Sequence, residues 1–110
     1  MKKVYLLECD FNEEKVYKIG VTQKNISERI KELDTGNPKE IRVVSEYITE
    51  YPFAVESFLH NVYSFKREKG EWFKLDQTQV NNFLSLCDRA EMNFAILDNA
   101  NNPFSPNKHV

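Results

Sequence analysis

The chain has 110 residues, of which 41% are hydrophobic, 13% aromatic and 29% charged, with a formal net charge of −2. That length and balance fit one domain with a modest core, and 3 Gly and 4 Pro exclude a collagen-like or linker-dominated chain. No apolar run approaches the ~20 residues of a membrane span, and no stretch carries the basic excess that holds nucleic acid by charge alone.

The opening MKKVYLLECDF meets charged residues too early for the apolar stretch of a secretory signal. Cys9 and Cys87 lack metal or redox spacing, so reduced thiols in a cytoplasmic protein are expected. KVYLLE and KVYKIGV, separated by the polar CDFNEE, read as two strands at hairpin distance. Val4 to Leu7 is apolar on both faces, which predicts a strand covered on both sides. In the second run Tyr17, Ile19 and Val21 share one face, and Lys18 and Gly20 the other. Tyr17 is therefore expected in the core.

A helix should follow, with Asn25 as N-cap and Glu28 completing a capping box. Its buried stripe is Ile26, Ile30 and Leu33, with Arg29 beside it, and it should stop before TGNP. IRVVSEYITEY reads as a third strand, and Pro52 is placed to open a second helix, FAVESFLHNVYSF. There Val55, Phe58, Leu59 and Val62 form the apolar face, while Glu56, His60, Tyr63 and Arg67 share a narrow sector on the other side.

GEWFKL suggests a short aromatic strand or extended segment. Trp72, Phe73, Phe53 and Phe58 are expected to close the core, with base stacking as the functional alternative. Asp76 caps a last helix carrying Val80, Phe83, Leu84 and Cys87. The expected fold class is α+β, with a small, mainly three-stranded antiparallel sheet flanked by helices. The domain should span 1–92, followed by an Asn/Pro-rich tail over 93–110.

Tyr5, Lys18, Arg29, Glu56 and His60, with GEWF downstream, form a recurring constellation. This order resembles the GIY-YIG nuclease superfamily over about residues 3–75. It is most similar to the divergent branch of phage proteins and meiotically up-regulated eukaryotic proteins, with its pattern KIG.T, Arg, E...H and a Gly-Glu-Trp-Phe-like end. By the resemblance, Val4 and Tyr5 stand for the last two residues of the first motif, whose glycine is replaced by Lys3. Lys18, Ile19 and Gly20 match the second motif, with Lys18 where many members have tyrosine. Arg29 matches the helix arginine and Glu56 the metal-binding glutamate. Leu33 stands where some members carry a catalytic histidine, and Glu71 lies near the place of the missing terminal asparagine.

The resemblance implies an endonuclease-like module that hydrolyses DNA phosphodiesters with one Mg²⁺ or Mn²⁺. The alternative is a GIY-YIG-fold module without hydrolysis, serving nucleic-acid binding or protein interaction. A third reading makes it a small structural or regulatory α/β protein whose charges only face water.

One carboxylate suffices for Mg²⁺, which keeps several waters and takes further ligands from phosphate. Glu56 suits that role, although long helices commonly carry an exposed Glu. Arg29 offers a planar fork to phosphate oxygens, or pairs with Glu32. A free tyrosine ionises near ~10, so as a base Tyr5 needs a nearby cation, which Lys18 could supply. His60, near ~6.5 when unperturbed, is the other candidate base or phosphate ligand. Lys66 and Arg67, in a cluster with Lys69 and Lys74, are candidate nucleic-acid contacts or a solvated helix end. Near-neutral overall charge implies that a protein partner, a homo-oligomer or local charge around the groove supplies DNA affinity.

Overall fold

A computed structural model describes residues 2–11, 13–33 and 41–98, and the backbone of 99–100. Strand β1 (Lys3–Phe11) and strand β2 (Glu14–Thr22) form an antiparallel hairpin, with Phe11 opposite Glu14. Both strands thus run into CDFNEE. Glu13 there takes a positive φ of 68°.

Helix α1 (Ile26–Leu33) leads toward strand β3 (Ile41–Ile48), which pairs antiparallel with β1. Helix α2 (Pro52–Val62) then leads into a short 3₁₀ turn, Ser64–Lys66. Two small strands follow, β4 (Arg67–Lys69) and β5 (Trp72–Phe73), with Gly70 between them at φ 59°. Helices α3 (Gln77–Asn81) and α4 (Phe83–Ala100) complete the fold.

The fold is α+β, as expected, but the antiparallel sheet has five strands among the described residues, in the order β3-β1-β2-β5-β4. The two extra strands exist because Tyr17 and Lys18 on the free side of β2 pair with Phe73 and Trp72. The segment that could have been a solvated helix end is partly strand, since Arg67 and Lys69 pair with β5.

Val4, Tyr5, Leu6 and Leu7 are all fully buried, so β1 is covered on both faces. One face of the hairpin, Val4, Leu6, Tyr17 and Ile19, joins Val55 and Leu59 of α2, Phe83, Cys87 and Ala90 of α4, and Phe73 in the core. Tyr17 is core, as its strand position indicates, and its hydroxyl donates to Glu8 at 2.9 Å. Burial and that carboxylate push its pKa up to about 12.

Several local expectations are corrected. Asn25 does cap α1, but its side chain takes the Ser27 amide at 2.8 Å, so Ser27 rather than Glu28 meets the cap. Ile26, Ile30 and Leu33 are only half-buried. The TGNP stop lies in 34–40, outside the described residues. Pro52 opens α2, but the helix ends at Val62, three residues short of Phe65. Tyr63 therefore leaves the helical sector and turns into the core, where its hydroxyl donates to the Gln79 carbonyl at 3.1 Å. Val62 and Leu84, expected on apolar faces, are exposed.

Phe73 and Phe58 join the core, whereas Phe53 is 68% exposed and closes nothing. The last helix breaks at Asn82 into α3 and α4, behind the expected Asp76 cap, whose capping box uses Gln79. Residue 92 falls inside α4, which continues through Ala100, while 101–110 lie outside the described residues. No helix among the described residues is long and apolar enough to cross a membrane.

Candidate functional site

The hairpin register places Tyr5 opposite Gly20 and Leu7 opposite Lys18. Alternation then puts Tyr5, Gly20 and Lys18 on one face, opposite the Ile19 face that packs on α2. The Tyr5 ring crosses directly over Gly20: a Cβ there would lie 2.3 Å from the phenolic oxygen and 2.5 Å from Cζ. Only a residue without a side chain admits this crossing. On that face Arg29 reaches down from α1 and donates from Nε to the Tyr5 hydroxyl at 3.3 Å. Its Nη1 also pairs with Glu32 at 3.3 Å, the pairing the sequence offered as the alternative to a phosphate contact. The Tyr5 bond, first, and the Glu32 bond hold the guanidinium pKa above its ordinary value despite burial.

The second half of the site lies where β5 stops pairing with β2. Ile19 donates its amide to the Glu71 carbonyl at 3.3 Å, continuing the ladder one residue beyond Trp72. The Ile19 carbonyl instead meets His60 Nε2 at 3.0 Å. A carbonyl only accepts, so Nε2 carries a proton, and the tautomer compatible with this bond has its lone pair on Nδ1. An edge-on contact with Phe73, centroids 5.1 Å apart, helps fix that ring. One turn earlier on α2, Glu56 projects beside it. Ligand atoms of Glu56, His60 and Glu71 all lie within 4.8 Å of one another. Glu71 Oε2 also accepts from Lys18 Nζ at 2.7 Å, and that ammonium lies 5.5 Å from the Trp72 ring centre.

These two halves share a strand. Tyr5 covers Gly20, His60 bonds the neighbouring Ile19, and Lys18 reaches into the carboxylate group from the residue before. Arg29 with Tyr5 thus meets β2 at Gly20, and Lys18 with Glu56, His60 and Glu71 meets it at residues 18–19. The sequence picture changes in one respect: the cation on Tyr5 is Arg29, while the Lys18 ammonium is bonded to Glu71.

Burial, and then the Glu71 carboxylate, raise Glu56 above its ordinary pKa of 4.5, with His60 and Lys18 opposing. Two crowded carboxylates and an imidazole nitrogen are a donor set that suits a divalent cation. The residues present fit such an ion.

Glu71 is the residue that sequence reasoning left at the margin. It was legible as the polar member of an aromatic segment near the place of the missing asparagine, and its position depends on how far β5 pairs with β2. Lys66 and Arg67 stand outside the cluster. Arg67 lies over the Phe73 ring at 5.3 Å, and Lys66 over the exposed Phe65 ring at 5.8 Å. Lys74, grouped with them in sequence, is bonded to Glu14 at 2.8 Å and Glu68 at 3.3 Å.

The family model of the T5orf172 domain matches residues 2–88. The chain belongs to the T5orf172 domain family. That match runs from the start of β1 into α4, so the T5orf172 domain contains both halves of the site. No curated protein and no solved structure matches the chain.

Proposed function

We propose that this T5orf172 domain is a divalent-metal-dependent endonuclease of GIY-YIG type that hydrolyses DNA phosphodiester bonds. The observation that carries the reading is the gathering of Arg29 with Tyr5 and of Lys18 with the Glu56–His60–Glu71 group around one three-residue stretch of β2. Membership of the T5orf172 domain family supports it, as does the GIY-YIG motif order.

Hydrolysis at phosphorus needs a water relieved of its proton, neutralisation of charge on the phosphoryl oxygens and help for the leaving oxygen. Glu56 would hold a Mg²⁺ or Mn²⁺ ion, which supplies Lewis-acid polarisation of the phosphate. Arg29 presents its guanidinium from α1 with the stem fixed by Tyr5, and its outer nitrogens would bind non-bridging oxygens as negative charge develops. Tyr5, held by the Arg29 cation, would act as the phenolate and take the proton of the attacking water as its oxygen approaches phosphorus. The Lys18 ammonium, largely buried, places a positive charge beside the carboxylates. Arg67 and Lys66 would meet flanking phosphates at the outer edge of the sheet.

The test is a nicking assay on supercoiled plasmid with Mg²⁺ or Mn²⁺. Nicked and linear products are expected from the wild type and absent with EDTA or in Arg29→Ala. Retention of the plasmid in a gel shift without any cleavage would instead identify a binding module, and absence of both would remove the nucleic-acid reading.

A further inference from the structure

We infer that Glu56, His60 and Glu71 together form a three-ligand site that prefers a first-row transition ion over Mg²⁺, with His60 binding through Nδ1. The inference rests on the metal-dependent reading above and specifies the ion and its ligands.

The His60 ring is already committed in the required sense. Its Nε2 faces the Ile19 carbonyl at 3.0 Å, so the proton sits on that nitrogen and Nδ1 is the ring's donor. A ligating imidazole whose other nitrogen donates to a backbone carbonyl is the usual supporting arrangement at metal centres, because it sets both tautomer and ring direction. Phe73 flanks the ring, and α2 carries Glu56 one helical turn before it. Glu71 approaches from the end of β5, with its backbone fixed by the Ile19 amide.

The three residues therefore come from two independently anchored elements, and one ligand atom of each, for His60 a ring nitrogen, lies within 4.8 Å of the others. Mg²⁺ is served by oxygen ligands and retained waters. An imidazole nitrogen favours the transition series, in which Mn²⁺ is the weakest binder. Mn²⁺ is thus a stringent probe, since the later ions should bind more tightly still. If Nδ1 ligates the ion it cannot also take the proton of water, which leaves Tyr5 as the base.

The experiment uses the full chain stripped with EDTA and dialysed, titrated with Mn²⁺ and followed by electron paramagnetic resonance, with Mg²⁺ as competitor. One Mn²⁺ per chain is expected, displaced by Mg²⁺ only at about tenfold or greater excess. Spin-echo modulation from a ¹⁴N nucleus should mark the directly bound imidazole, and it should vanish in His60→Gln. That variant should still bind Mn²⁺ through the carboxylates, with the preference over Mg²⁺ reduced.

If His60→Gln does not fold, the wild-type nitrogen signal decides alone. Equal competition by Mg²⁺, or bound Mn²⁺ without nitrogen modulation, overturns the inference, as does failure to bind Mn²⁺. Nitrogen-coupled Mn²⁺ in a protein that never cleaves DNA would uphold the site and overturn the nuclease reading. Cleavage supported by an ion with no nitrogen ligand would do the reverse.

Discussion

The Tyr5 hydroxyl lies 2.3 Å from the point where a Cβ on Gly20 would stand. The glycine of the second strand therefore exists to let a fully buried ring from the first strand cross it and meet Arg29. Adding one methyl group by Gly20→Ala forces the ring to move within a closed core, at a cost of about 1–3 kcal/mol. Urea unfolding should record that loss. Cleavage should fall further than stability explains, because Arg29 loses its anchor.

Tyr5→Phe separates the hydroxyl from the packing. The ring stays and only the bond to Arg29 is lost, so the midpoint of unfolding should shift little. The single-turnover cleavage rate should drop, whereas DNA affinity in a gel shift should hold. Arg29→Ala should lower the rate by about 10²–10³-fold, the range found when one preorganised donor to a developing charge is removed.

Tyr17 serves as a control. It sits in the second strand next to Lys18, but is buried on the opposite face and bonded to Glu8. Tyr17→Phe should cost about 0.5–1.5 kcal/mol through that lost bond. Its cleavage rate should match the wild type.

Lys18 and Glu71 make a different prediction. In Lys18→Met the carboxylates of Glu71 and Glu56 lose their neighbouring ammonium, so their demand for a cation rises. Metal affinity by calorimetry should increase by roughly tenfold, about 1.4 kcal/mol. Weaker metal binding in this variant would show that Lys18 supports the ion rather than competes with it.

Acid sensitivity should come from elsewhere in the sheet. Burial alone would raise Glu8, but the Arg42 bond at 2.9 Å, the Tyr17 hydroxyl and the Lys15 charge outweigh it and hold the carboxyl below its ordinary 4.5. A carboxyl that is more acidic when folded contributes stability above pH 4.5, and loses it as the pH falls through the lower folded value. Thermal melts of Glu8→Gln should show a lower plateau near neutrality and a flatter decline below pH 4.5 than the wild type.

Much of this was legible because alternation and helical spacing are local properties. They placed Tyr17 and Ile19 in the core, put Lys18 and Gly20 together on the other face, and set Glu56 beside His60. What escaped depends on where elements end. Stopping α2 at Val62 turned Tyr63 from the helix surface into the core, and pairing of Trp72 and Phe73 with β2 joined the expected aromatic segment to the sheet and set β4 beside it. The same pairing carried Glu71 to Lys18, a contact across 53 residues that no local pattern encodes. The exchange of cations, with Arg29 rather than Lys18 on Tyr5, needed the approach of α1 to the hairpin.

The most direct measurement is single-turnover cleavage of an end-labelled DNA duplex by the wild type and by Glu56→Gln, at matched occupancy of DNA and with Mn²⁺ present. Glu56→Gln keeps the shape of the side chain and removes its charge. We expect metal-dependent product from the wild type and none above background from the variant, with both proteins binding the duplex alike. Equal rates from the two proteins would contradict the assignment of hydrolysis to this site.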